Sequence, residues 1–350
     1  MTVHVPVRRN SLTAGQLAKP VPYLVLVATL LAAAGVVALA SETFSIGLTV
    51  VFGVGLFMLV MFLLSLSVEG PRKAKDRIAR YVVTSFFVIA LLPLLSLLWE
   101  TVARGISRFT PEFFSNSMYR VIAADEGGIV HAVYGTLIVT GLAALISVPI
   151  GLFTAIYLVE YSDDNRIAGG IRFFVDVMTG IPSIVAGLFA YTVISTFFGV
   201  GTYNGFAGAV ALSILMIPTV VRSSEEMLRI VPNELREASY ALGVPKYRTI
   251  IKVVLPTALA GLVTGVILAI ARVIGETAPL LITTGSAKSI NLNPFESQME
   301  TIPIFVYSQQ RQPEWVDRAW AGALTLIIIV MVLNAIGRFV AWKFAPKTGR

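Results

Sequence analysis

A chain of 350 residues with 56% hydrophobic and 13% charged side chains lacks the polar surface that a water-soluble protein of this size needs. The absence of cysteine excludes disulfides, thiolate-bound metals and thiol catalysis. The two histidines, His4 and His131, fall outside the apolar runs, so neither a histidine metal cluster nor an intramembrane histidine relay is expected.

An α-helical span takes about 20 mostly apolar residues. Eight stretches meet that length, at 22–41, 45–68, 79–101, 133–158, 173–199, 205–222, 254–282 and 319–342. The alternating pattern of an outer-membrane barrel is missing. The expected class is therefore an all-α integral membrane protein with about eight transmembrane helices. The first run ends in Ala38-Leu39-Ala40 before Ser41, which fits a signal-peptidase site. A signal core is only about 7–15 residues long, however, and the run from Val21 to Ala40 is longer, so an uncleaved helix is expected. A tight turn near Ser41-Glu42 leads into the second run, and the basic segment Glu69 to Arg80 follows it. Residues 1–80 form one division of the chain and 81–350 the other, which holds every unusual feature.

The net charge of +7 is a topology signal rather than a nucleic-acid footprint. Twenty of the 27 Lys and Arg residues fall on one side of the expected spans, six on the other, and Arg272 lies inside a span. Basic residues favour the cytoplasm, so both termini are expected there, with the spans among membrane lipids. Residues 102–132 and 283–318 then form long outer segments.

Ionisable groups within spans are costly and mark pathways. Arg272 and Glu276 are four apart, the spacing of one helical face. Arg222 and Glu225 are three apart near the cytoplasmic end of the sixth run, and Asp176 lies near the start of the fifth. A buried ion pair can serve helix packing alone. Alternatively, a permeant oxyanion visits the guanidinium, whose rigid donor fork matches its oxygens, and the carboxylate keeps the anion from being held too tightly. Pro182, Pro218 and Pro279 fall within runs, where they free carbonyls and bend helices.

Between the sixth and seventh runs, Pro232 to Gly243 predicts a short helix, with Glu234 and Glu237 near its N-terminus and Gly243 as its cap. A second short helix is expected from Lys246 to Val254, with Pro256 at the entry to the next span. Such a pair forms a rigid knob.

Within this loop, 223–253, the run Glu237-Ala238-Ser239, with Gly243 six residues after the glutamate and Ile251 and Leu255-Pro256 beyond, resembles the EAA loop of ABC importer permeases. It departs from that pattern only in Ser239, which stands where the second alanine is usual. The segments Gly180 to Gly187, Val221 to Met227, Val231 to Glu237 and Ala271 to Leu281 are similar to the phosphate-specific branch of that family. The likeness covers about Gly128 to Gly337.

The resemblance implies a six-helix type I importer core, preceded here by two extra N-terminal helices. It implies a permease for inorganic phosphate that couples to an ATPase through Glu237, Ala238, Gly243 and Arg236. The implied partners are a second, PstC-like permease, a PstB-like ATPase dimer and a PstS-like extracytoplasmic phosphate-binding protein. The outer segments are the natural surface for the last. Sulfate, molybdate or phosphonate are alternative cargoes, and an ion-coupled carrier is a competing class that has no use for such a loop. A phosphate-binding P-loop needs a second glycine before its lysine, and Gly285-Ser-Ala-Lys288-Ser289 has none. No cofactor is therefore expected on this chain, which is expected not to be an enzyme; ATP and magnesium belong on the partner ATPase.

Reporters fused after Arg350 and within 69–80 should read cytoplasmic, and one at Asn293 should read external. An external signal at Arg350 would mean an odd number of spans.

Overall fold

The computed structural model describes residues 17–40, 45–123, 126–162 and 165–344. His4, the Ser41-Glu42 turn and the terminal basic residues Arg8, Arg9, Lys347 and Arg350 lie outside them. Among the described residues all regular structure is helical. The chain divides into two compact units, Met1–Leu98 and Trp99–Arg350.

The first unit contains α1 (Val21–Ala40), α2 (Ile46–Glu69) and most of α3 (Pro71–Gly105). α1 and α2 pack closely because Gly53 has no side chain: a Cβ there would sit 3.2 Å from the Leu30 Cα. Such small-residue contacts are how apolar helices associate where no hydrophobic drive exists between them. Gly70, at φ 89°, turns the chain from α2 into α3. Beside the turn, Glu69 accepts hydrogen bonds from Arg77 Nε (2.7 Å) and Nη2 (2.6 Å), from Ser65 Oγ (2.7 Å) and from the Leu17 amide (2.8 Å). The basic segment expected as a connector is instead the first turns of α3. That helix has 35 residues and is about 52 Å long, well beyond a hydrocarbon core.

The second unit is built on α5 (Val130–Ile156) against α8 (Gly205–Arg229). Their seam buries Val139, Ala143, Ala209, Leu212, Met216 and Val220. Gly151 lets it close, since a Cβ there would meet Val220 Cγ1 at 2.6 Å. The helix α11 (Leu255–Val273) lies on α8 and on α14 (Val316–Phe344), which also packs against α13 (Ile302–Gln310). The short α4 (Pro111–Ser115) contributes Phe113 to a second cluster with Met118, Ile129, Ile302 and Phe305.

Two of the expected spans are broken. The stretch 173–199 is not one helix: α6 (Arg166–Thr179) and α7 (Ser183–Phe198) meet at 107°. Gly180 weakens the helix there, and Pro182 supplies no amide. The stretch 254–282 is broken as well. α11 ends at Val273, and α12 (Ala278–Thr283) begins only after a non-helical link. Gly275 and Pro279 account for that break in the same way. Among the described residues, seven helices are long and apolar enough to cross a membrane, or eight with the bent pair as one span.

The two breaks are held together by α7 packing on α12. At the contact, a Cβ on Gly187 would lie 2.6 Å from the Pro279 Cα and 2.9 Å from its carbonyl oxygen. Neither atom belongs to a flexible side chain, so Gly187→Leu must push α12 away, at about 1–3 kcal/mol. Thermal unfolding of the purified protein should show that loss. Gly141→Leu, where a Cβ would meet nothing within 4 Å, should not.

Candidate functional site

Between the breaks lies a cavity of about 200 Å³. Thr179, Ser183 and Thr219 line it with hydroxyls, and Arg272 and Glu276 line it with opposite charges. Pro218, inside α8, completes the wall. Both charged residues singled out in the seventh run therefore reach one site, though not as an (i, i+4) helical pair. Glu276 lies in the link beyond the end of α11, with its amide donating to the Val273 carbonyl at 3.1 Å. Among the described residues no ion pair joins the two, and neither side chain has another partner. Two charges left without protein partners on a hydroxyl-lined wall are equipped to receive a polar ligand.

Arg222 and Glu225 belong to a larger network. Arg222 Nη1 lies 3.6 Å from Glu225 Oε2, while its Nη2 donates to Asp176 on α6. Glu225 is buried and also accepts from Arg172 Nε at 3.2 Å and from Arg229 Nη2 at 2.7 Å. Removing that carboxylate would take from Arg172 and Arg229 the acceptor they share, while Arg222 would keep Asp176. Arg172 and Asp176 face it from α6 at the same four-residue spacing that separates Glu225 from Arg229 on α8, a complementary pattern that the sequence carried in plain view.

The loop after α8 forms the expected knob. α9 (Asn233–Ala241) follows Pro232, and Gly243 turns the chain at φ 75°, a conformation that favours glycine. α10 (Lys246–Thr249) then runs through a π-helical turn, Ile250–Val254, directly into α11. The second short helix is thus continuous with the next span, and Pro256 lies just past the π-helical turn, the kind of irregularity that accommodates a residue without an amide inside a helix. Ser239, the one departure from the loop's pattern, is buried with its Oγ 2.8 Å from Thr249 Oγ1, so it ties α9 to α10. Glu237, Ala238 and Gly243 are exposed, in the company of Leu235, Tyr240, Leu242 and Tyr247.

Arg236 faces the other way. Its Nη2 and Nε donate to Glu160 Oε1 at 2.7 and 3.0 Å, and its Nη1 and Nη2 reach the Val231 and Leu228 carbonyls at 2.6 and 3.0 Å. Expected as a docking residue, it instead anchors α9 to the π-helical end of α5, Tyr157–Tyr161, where Glu160 is buried.

His131 is a second difference. It occupies the first turn of α5, fully buried, with Nε2 2.9 Å from Glu300 Oε2. Ser286 Oγ (3.0 Å) and Ser308 Oγ (3.3 Å) donate to the other carboxylate oxygen. The partners are 169 residues apart in sequence, so no local pattern announces them.

The arrangement matches known proteins. Residues 147–350 match the family described as binding-protein-dependent transport system inner membrane component. The phosphate transport system permease protein PstA 1 of Mycobacterium tuberculosis is 47% identical over 284 residues, spanning 78% of this chain and 93% of that protein. PstA of Yersinia pestis is 36% identical over 278 residues, or 79% and 92% of the two chains. Among solved structures, a bacterial alginate ABC transporter chain superposes with a TM-score of 0.56 at 12% identity, over 80% of this chain and all of that one. The inward-facing MetNI methionine transporter gives 0.52 at 20% identity, over 62% and 96%. These two carry the fold alone. The chain belongs to the family of binding-protein-dependent transport system inner membrane components.

Proposed function

We propose that this permease subunit forms half of a pathway for inorganic phosphate, driven by ATP hydrolysis on a separate subunit. The observation that carries the reading is the Arg272–Glu276 cavity, with its charges unpaired and three hydroxyls beside them. The relatives named as PstA permeases support the choice of cargo. Arg272 offers a planar donor fork to two phosphate oxygens, and hydroxyls of Thr179, Ser183 and Thr219 can donate to others. Glu276 limits how tightly the anion is held, as transport requires. It also discriminates. Hydrogen phosphate carries a P–OH that donates to a carboxylate, whereas sulfate at neutral pH has no proton to give and is repelled.

In this reading the cargo arrives from a PstS-like binding protein, and the cavity is completed by a PstC-like permease. A pocket of about 500 Å³ on the expected outer side, lined by Arg108, Thr110, Asn116, Ser117 and Arg120, supports a docking surface there. The exposed knob around Glu237 and Ala238, turned at Gly243, seats in a PstB-like ATPase dimer, which holds the ATP and magnesium. Its apolar rim of Leu235, Tyr240 and Leu242 would lose water on docking, and closure of the dimer would push α9 toward the membrane. The direction of import follows from the charge bias, which puts this knob and both termini in the cytoplasm.

The test is uptake in membranes that contain the whole transporter. Arg272→Ala removes charge-assisted hydrogen bonds, so phosphate uptake should fall about 10- to 100-fold. Complex yield should stay close to that of the unaltered protein, because no ion pair is broken. Glu276→Gln should narrow the gap between phosphate and sulfate as competitors. Uptake unchanged in Arg272→Ala would remove the cavity from the pathway.

A further inference from the structure

Two ion-pair clusters outside the cavity meet on a single turn of helix. The π-helical end of α5 carries both junctions. Its Glu160 side chain holds Arg236 of α9, and its Leu158 carbonyl accepts from Arg172 Nη2 of α6 at 3.3 Å. Arg172 in turn holds Glu225 of α8, which Arg222 shares with Asp176. Asp176 lies three residues before Thr179, and Arg222 three after Thr219, so each stands one helical turn from the cavity wall. Polar contacts joined by one turn of backbone thus lead from the exposed knob to within a helical turn of the cavity.

We propose that Glu160 and Arg236 are positioning residues that carry the knob's displacement to the cavity, with Arg222 as the link that keeps Glu225 and lets Asp176 go. The inference rests on the importer reading above. Several features support it. Glu160 is nearly inaccessible to solvent and Arg236 is 12% exposed, so their bond cannot be exchanged for water without moving α9. Arg236 also holds the Val231 and Leu228 carbonyls, which makes α9 and the end of α8 move with it. A π-helical turn carries an extra residue in its ring, and such turns are weak points in helices and recur at functional sites.

The far end has the opposite character. The Asp176 side chain is 59% exposed and that of Arg222 39%, so their bridge is easily broken and remade. When it breaks, Arg222 keeps Glu225, so no charge is stranded. Arg222 thus holds both carboxylates at once, Asp176 by a hydrogen bond from Nη2 and Glu225 across 3.6 Å from Nη1, and can release the exposed one while keeping the buried one. α6, one half of the broken span, is the body that this release sets free.

The chain has no cysteine, which makes a single reporter thiol clean. Ser183→Cys places one on the cavity wall of the purified transporter, assembled with its partner subunits and reconstituted in vesicles. A membrane-impermeant maleimide added on the ATPase side should label it at a rate that changes with bound nucleotide. Adding Glu160→Gln should abolish that nucleotide response, and phosphate moved per ATP should drop by about 2- to 30-fold, while ATP hydrolysis continues. Asp176→Asn, an exposed and isosteric change that does not threaten folding, should also abolish the response. It decides the matter if Glu160→Gln fails to assemble. Nucleotide-dependent labelling that persists in Asp176→Asn, or in an assembled Glu160→Gln transporter, would overturn the proposal. Labelling indifferent to nucleotide in Ser183→Cys alone would instead overturn the importer reading beneath it.

Discussion

A peptide group that leaves a helix inside a bilayer has no water to turn to, and each unsatisfied one costs several kcal/mol. Irregular backbone at that depth is therefore tolerated only where protein or a polar cavity receives it. The second unit meets that constraint twice at one place. The breaks at 180–182 and 274–277 both open onto the cavity that holds Arg272 and Glu276, and α7 and α12 pack together across them. Glycine and proline make the breaks, and the loss of a side chain at Gly187 lets them approach. The site lies where the helices break, and residues beside both breaks line it.

Charge elsewhere is organised by the opposite rule. Glu225 sits among Arg172, Arg222 and Arg229, Glu160 on Arg236, and Glu69 on Arg77, each buried carboxylate meeting at least one guanidinium. Such pairs add little net stability against an apolar alternative, but breaking one is expensive, so they fix which helix contacts which. Arg272, exposed, and Glu276, half-buried, have no such partner among the described residues, and both line the cavity.

Much of this was legible in the residues. Span number followed from run length alone, and the knob from Pro232, Gly243 and the charges between them. The break at 180–182 was harder, because Ile181 and Val185 keep the run apolar through it, and hydropathy does not register direction. The same blindness joined Glu276 to the helix of Arg272: the four-residue spacing is right only if the helix persists, and Gly275 with Pro279 ends it. Arg236 was expected to face the ATPase because the resemblance places it in the coupling loop, and its turn inward depends on Glu160, 76 positions earlier. The His131–Glu300 pair shows the same limit. Local pattern reveals elements and caps; it does not reveal which distant carboxylate a buried cation will meet.

In the proposed reading the fold couples two sites that share no residue, an exposed knob and a cavity between broken helices. The central claim is that force enters at the knob. The most direct measurement is phosphate-stimulated ATP hydrolysis by the assembled transporter carrying Glu237→Lys, compared with the unaltered protein. The account predicts that stimulation is lost, or that the ATPase dissociates, while binding of phosphate by the external receptor is untouched. Full stimulation and full uptake in that variant would contradict it.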